Sequence, residues 1–204
     1  MTSKKKEHTS RMLTGEESMS DRKPMILVMA GPNGSGKSTI TGFFELVGTY
    51  TNADDMVAAT GMSNEEAAVL ADNKRYTSIE NKEDFSFETV LSSHYKLDIL
   101  KKAKAEGYFI KCIFVLTVNP DVNIARVTAR VASGGHDVDK DKIRSRYYKA
   151  LDNIKELIEI CDILHVYDNT IEPVRIIRKH KDEFSIYPNG LWSEEKIIKL
   201  ISNE

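Results

Sequence analysis

Residues Gly31-Pro32-Asn33-Gly34-Ser35-Gly36-Lys37-Ser38 are the stretch of this chain best equipped for chemistry. They fit G-x-x-x-x-G-K-[ST], in which glycines let backbone N–H groups converge on phosphate oxygens. The lysine then reaches the outer phosphates, and the hydroxyl after it ligates Mg²⁺. The apolar run MILVMA, Met25 to Ala30, opens directly into this loop, and a helical segment over 38–46 carries Thr39 away from it. Both flanks the motif requires are therefore present. The expected ligand is the triphosphate of ATP with Mg²⁺, held by residues 31–39 with Lys37 and Ser38 as the charged and metal contacts. Asn81-Lys82-Glu83-Asp84 spells a guanine-reading N-K-x-D. It precedes a strand instead of following one, and no D-x-x-G lies downstream, so ATP is favoured over GTP.

Phosphoryl transfer to a hydroxyl needs charge neutralisation, in-line placement and a carboxylate to take the proton. Asp54, with Asp55 beside it, follows a weak strand over Tyr50–Ala53 and is the candidate base; an aspartate there could equally start a turn or cap the next helix. Glu88 and Thr89 lie in the alternating run FSFETV. A carboxylate between Phe87 and Val90 is costly to bury unless a ligand or partner satisfies it. Arg126 and Arg130, four apart, share a helix face, and Arg144 and Arg146 follow the break Ser133-Gly134-Gly135-His136. Arginines on both sides of a glycine hinge form a lid pattern; the alternative is a solvated, salt-bridged surface. His136 could donate to phosphate or simply be solvated.

Positioning these residues requires alternating strands and helices. The sequence predicts a helix over 63–80, capped by Ser63 and striped by Ala67, Leu70 and Ala71, a strand over 85–90 and a helix over 93–106 stopped by Gly107. A strand over 109–118, a helix over 119–132, a long helix over 139–161 and a strand over 163–167 follow, then a hairpin within 174–187 and a helix over 193–201. This is an α/β pattern: a three-layer P-loop sandwich around a central parallel sheet, with ligands at the carboxyl ends of the strands. Residues 1–23, polar and without period, read as a flexible tail. Residues 24–204 read as one domain with a lid at about 132–146.

With 29 basic and 31 acidic side chains the net charge is −2, so no global field draws the chain to nucleic acid or a membrane, and any polyanion recognition must be local. Cys112 and Cys161, outside any CxxC or Cys/His cluster, argue against a disulfide scaffold or zinc site and fit a reducing cytoplasm. No apolar run is long enough for a signal or membrane span.

In order along the chain, GPNGSGKST, NADDMVA, FSFETVLSS and RVTARVASGGHDVDKDKIRSRYYKAL resemble the zeta-toxin family of P-loop kinases over residues 25–192. The resemblance implies a fold like that of small kinases such as shikimate kinase, with the phosphate-loop strand central. It implies that Lys37 and Ser38 hold the triphosphate and Mg²⁺, that Asp54 is the base, and that Glu88 and Thr89 lie on the substrate side. The lid arginines Arg126, Arg130, Arg144 and Arg146 would clamp phosphates, and Asp168-Asn169 would lie near the adenine. Family members studied as toxins phosphorylate the 3′-hydroxyl of UDP-N-acetylglucosamine and are held by a small antitoxin. Here Asn52 replaces their first acidic residue, and the GGH lid leaves two registers for the clamp, Arg126 or Arg130. Two rival readings stand beside this one: an NTPase switch with Asp168 as metal-side acid, and a polynucleotide kinase using the basic tail.

Overall fold

The computed structural model describes residues 22–135 and 137–202. The expected tail, apart from Arg22 and Lys23, and His136 lie outside them. Seven strands form one sheet in the order β2-β3-β1-β4-β5-β6-β7. These are β1 (Met25–Ala30), β2 (Thr49–Thr51), β3 (Phe85–Thr89), β4 (Phe109–Leu116), β5 (Ile163–Asp168), β6 (Val174–His180) and β7 (Glu183–Ile186). The strand feeding the phosphate loop is central, and β1 and β4 are apolar almost throughout because both their faces are covered. The first five strands in that order pair in parallel, whereas β6 and β7 run antiparallel. The sheet is thus parallel at its centre and extended by the expected C-terminal hairpin, since the short connection after β5 has no room for a crossover helix.

The helices are α1 (Lys37–Thr41), α2 (Ala53–Thr60), α3 (Asn64–Glu80), α4 (His94–Ala105), α5 (Pro120–Ala132), α6 (Lys140–Asp152), α7 (Ile154–Ile160) and α8 (Glu194–Ile201). A large apolar cluster between α3, α4, α6, α7, α8 and one sheet face forms the main core. A smaller cluster of Leu27, Met29, Ile40, Ile113 and Val115 lies on the other face.

Several elements differ from the sequence expectation. The helix expected over 38–46 ends at Thr41, with Gly42 as its C-cap, since glycine costs about 1 kcal/mol inside a helix. The chain then turns down to Ser86, whose hydroxyl both accepts from Val47 N and donates to Val47 O at 2.7 Å. The helix expected over 139–161 breaks at Asn153, which is buried and donates its side-chain amide to Leu91 O at 2.8 Å. Leu70 is 39 % exposed instead of striping α3. That helix turns Asp72 and Arg75 inward in its place.

Candidate active site

The phosphate loop leaves no room for a side chain at Gly31 or Gly36. Gly31 has φ +141°, and a Cβ there would sit 2.0 Å from the carbonyl of Val115. Gly36, left-handed at φ +91°, starts α1, and its Cβ would meet Asn169 Nδ2 at 2.2 Å. Only glycine fits these positions. The Ser35 carbonyl accepts from Asn169 Nδ2 at 2.8 Å, the Asn33 carbonyl from Asn123 Nδ2 at 2.6 Å, and Asn33 Oδ1 from Arg146 at 3.4 Å. The loop is thereby tied to β5's end and to the two lid helices. Ser35 Oγ is buried without a protein partner among the described residues. The glycine cradle, too tight for a Cβ at Gly31 or Gly36, fits an anion held by backbone N–H groups. Pro32 is buried in the loop and Thr39 is exposed on α1.

Lys37 is buried, with Nζ donating to Pro32 O at 3.1 Å. Burial pushes its pKa down, the carboxylates of Glu88 and Asp54 hold it up, and Arg130 lowers it further. Ser38 Oγ donates to Glu88, 3.2 and 3.3 Å from the two carboxylate oxygens. Glu88 sits beside Met29 of β1, so the strand next to the phosphate-loop strand supplies this carboxylate. Its pKa is raised, chiefly by burial, against the opposing effects of Lys37 and Ser38; Asp55 and Asp54 raise it further.

Asp54 does not end a strand. It lies, exposed, in the first turn of α2, and Asn52 is the residue that caps that helix, accepting from Asp54 N at 3.1 Å. The carboxylate of Asp54 is thus spared the capping role that the sequence left open. Asp54, Glu88, Lys37, Thr89 and Arg146 line one cleft of about 530 Å³. The hydroxyl of Thr89 accepts from Leu91 N at 3.2 Å, and Leu91 adopts φ +53°. For a non-glycine residue this is a strained turn on the cleft wall, held by the Asn153 amide.

The arginines divide. Arg126 donates to Thr170 O at 3.0 Å and Ser35 O at 3.5 Å, which fixes it against the back of the loop. Arg130 is close enough to act on Lys37. Arg144 is not brought to the cleft: it pairs with Asp121 at 2.7 Å, on the exposed side of the α5–α6 junction. Asp168, the metal-side acid of the switch reading, is buried two strands from β1 and accepts from Thr170 N at 3.2 Å, whereas Ser38's partner is Glu88. Asp84 of the N-K-x-D run accepts from Met25 N at 2.7 Å, at the strands' amino ends. That is the end of the sheet away from the phosphate loop. Among the described residues no group of three or more His, Cys, Asp or Glu could hold a metal ion unaided. A Mg²⁺ here would rest on Ser38, Glu88 and phosphate oxygens, the usual arrangement for this ion.

Sequence reasoning missed a buried ionic wall of the same cleft. Arg75 is 2 % exposed and donates to Thr51 Oγ1 at 2.9 Å, Thr51 O at 3.3 Å and Asp72 at 2.9 Å, with its guanidinium 4.3 Å from the centre of the Phe87 ring. Lys96 closes on both oxygens of Asp72 at 2.7 and 2.6 Å. The signal was present: Asp72 and Arg75 share a helix face with Ala67 and Ala71. This cluster pins β2, the short edge strand that delivers Asn52 and Asp54. Arg75→Lys keeps the charge and loses the fork, so urea unfolding should show about 1–3 kcal/mol of lost stability; an unchanged midpoint would remove the pinning role.

The zeta toxin family model matches residues 50–191. The match begins after the phosphate loop, so loop and family match are separate observations. An uncharacterised protein of Haemophilus influenzae is 28% identical over 123 residues, 57% of this chain and 88% of its own length. Among solved structures, the AvrRxo1-ORF1:-ORF2 complex with ATP superimposes with a TM-score of 0.62 at 15% identity, covering 88% of this chain and 63% of that one. This chain therefore spans less than two thirds of that structure's chain. A structure from the PezAT chromosomal toxin-antitoxin system of Streptococcus pneumoniae gives 0.55 at 14% identity, covering 79% and 75%. These similarities establish the α/β P-loop kinase-like architecture. No described helix is long and apolar enough to cross a membrane.

Proposed function

We propose that this chain, which belongs to the zeta toxin family, is a kinase that moves the terminal phosphoryl group of ATP to a hydroxyl of a small metabolite. The observation that carries the reading is the pairing of Ser38 with Glu88 beside buried Lys37, with Asp54 on the same cleft. Bound Mg-ATP would supply the transferable phosphoryl group. The backbone N–H groups of residues 33–38 would hold its phosphates, Lys37 would neutralise the outer ones, and Ser38 with Glu88 would hold the cation. Asp54 takes the proton of the acceptor hydroxyl as the oxygen attacks phosphorus. Glu88, Thr89 and Arg146 hold the acceptor. Arg126 and Arg130 balance transition-state charge, while Asn169, by fixing the Ser35 carbonyl, keeps the loop in shape on the adenine side. Residues 24–204 form the kinase domain, and 132–146 its lid. Closing on Gly134-Gly135 would release Arg144 from Asp121 and exclude water.

For the acceptor we propose the 3′-hydroxyl of UDP-N-acetylglucosamine, as family membership suggests, and for the partner a small antitoxin. The PezAT structure comes from a toxin-antitoxin system. The proposed setting is a reducing cytoplasm, in which the buried free thiols Cys112 and Cys161 persist. Incubation with Mg-ATP and UDP-N-acetylglucosamine should yield a sugar nucleotide heavier by one phosphoryl group in the mass spectrum. ADP release that depends on other small hydroxyl compounds, with no such product, would discard this acceptor and keep the kinase.

A further inference from the structure

Doubly wound sheets normally carry helices on both faces. Here the face opposite the main core is covered unevenly. Its apolar cluster draws on the strands β1 and β4, on Ile40 of α1, and on Phe44 and Val47 of the following loop. The apolar residues of α3, α4, α6, α7 and α8 join the other face. Across β4, β5 and β6 the register sets the side chains of this face in rows, in which Ile113 and Val115 are buried in the cluster and the others are half-buried or exposed. Lys111, Ile163 and His180 share one row, Ile113, His165 and Arg178 the next, and Val115, Tyr167 and Arg175 the third. Cations from three strands thus meet on one surface, with Glu183 as the acid paired there, 3.5 Å from Arg178.

Aromatic rings interleave with these charges. Lys111 Nζ lies 5.5 Å from the centre of the Phe44 ring, Arg175 lies 5.4 Å from that of Tyr187, and His165 meets Tyr167 edge to face at 6.3 Å. Phe43, at the margin of the same loop, is 77 % exposed. Two polar atoms of this face, His165 Nδ1 and Arg175 Nε, are buried without a hydrogen-bond partner among the described residues. The local field agrees: burial first, and then Arg175, Lys111, Arg178 and His180, push the His165 pKa down to about 4. A net charge of −2 conceals this patch.

We propose that the open part of this face, over β5 and β6 with Lys111 of β4 at its edge, is a platform for single-stranded nucleic acid. Phosphates would meet Lys111, Arg175 and Arg178, and bases would stack on Tyr167, Tyr187 and Phe44. Charge complementarity selects a polyanion, and the interleaved rings select bases over an acidic peptide, which has no planes to stack. The chain's own residues 1–21 are a poor occupant. Lys4, Lys5, Lys6 and Arg11 balance Glu7, Glu16, Glu17 and Asp21, so the segment brings no negative charge. The platform is independent of phosphoryl transfer.

The test is fluorescence anisotropy of the full chain with labelled oligouridylate of about 12 nucleotides in about 50 mM salt. The parent should bind saturably, and Lys111→Glu with Arg178→Glu should weaken binding by about tenfold or more, with a salt slope shallower by about 0.7 for each lost phosphate contact. ATP binding should be unchanged in that variant, which reports folding; should the reversal misfold, Arg175→Gln with Arg178→Gln should still weaken binding by about threefold or more. Three results would overturn the proposal. They are a parent that ignores the oligonucleotide, binding lost on reversing Lys4, Lys5 and Lys6, or Lys155 of α7 and Lys199 of α8, but not the sheet face, and face variants that lose only a purified antitoxin.

Discussion

Asp54→Asn is expected to lower the turnover of phosphoryl transfer by about 10²–10⁴-fold, the usual worth of a positioned general base. That is roughly 3–5 kcal/mol of barrier. The amide keeps the shape and can still accept a hydrogen bond, but it cannot take the acceptor's proton. Little else should change. Asp54 is exposed and Asn52 already caps α2, so the stability cost is limited to a lost helix-dipole contact of about 0.3–1 kcal/mol. Its influence on Lys37 ranks below that of Glu88, so Mg-ATP affinity, read by calorimetry, should move by no more than about twofold. Asp55→Asn is the matched control, since Asp55 occupies the same turn but does not line the cleft. An Asp54→Asn protein that transfers phosphate at close to the parental rate would end the base assignment. One that loses ATP binding would move Asp54 to the donor side. A nucleotide switch, which needs no acceptor base, would keep its slow hydrolysis in this variant.

What the sequence made legible follows from how local each signal is. The phosphate loop could be read outright because its glycines serve backbone geometry: positive φ at Gly31 and Gly36 and close approach to Val115 and Asn169. The capping box at Ser63 and Glu66 likewise declares the start of α3 by itself. Glu88 stood out because a carboxylate in an apolar strand demands a reason, and the structure supplies Ser38 and Lys37. Other features depend on tertiary partners and gave no such sign. The break at Asn153 exists because its amide serves Leu91 in a distant loop. Arg144 looked equivalent to Arg146 on α6, yet only Arg146 lines the cleft, because Asp121 at the start of α5 captures the other. The open basic sheet face was invisible for a related reason. Lys111, His165 and Arg178 are scattered along the chain and meet only through strand register.

Glu88→Gln should separate stability from activity. The Glu88 carboxyl is pulled toward its protonated form by burial, and the attraction of Lys37 and the bond from Ser38 do not fully offset this. A carboxyl whose pKa is raised by folding contributes stability that is complete below the unfolded value and is lost as pH rises through the folded one. At neutral pH the ionised Glu88 is therefore a net strain on the protein. Glutamine mimics the protonated form at every pH. The variant should accordingly melt at a higher temperature than the parent at neutral pH. The gain should vanish as pH falls below the ordinary carboxylate range. Transfer should nevertheless drop by about 10²–10³-fold, because the amide brings no charge to the cation site beside Ser38. In kcat/KM for Mg-ATP, which reports the metal-free enzyme, the parent should decline on the acid side at a higher pH than an unperturbed glutamate would dictate, and the variant should lack that limb. Thermal melts and pH–rate profiles of the two proteins decide the matter together. A less stable variant would mean that Lys37 depends on Glu88 more than burial opposes it, and an undiminished rate would place the metal elsewhere. The raised carboxyl is the expected signature of a group kept for function, since an apolar residue in the same strand would serve the fold better.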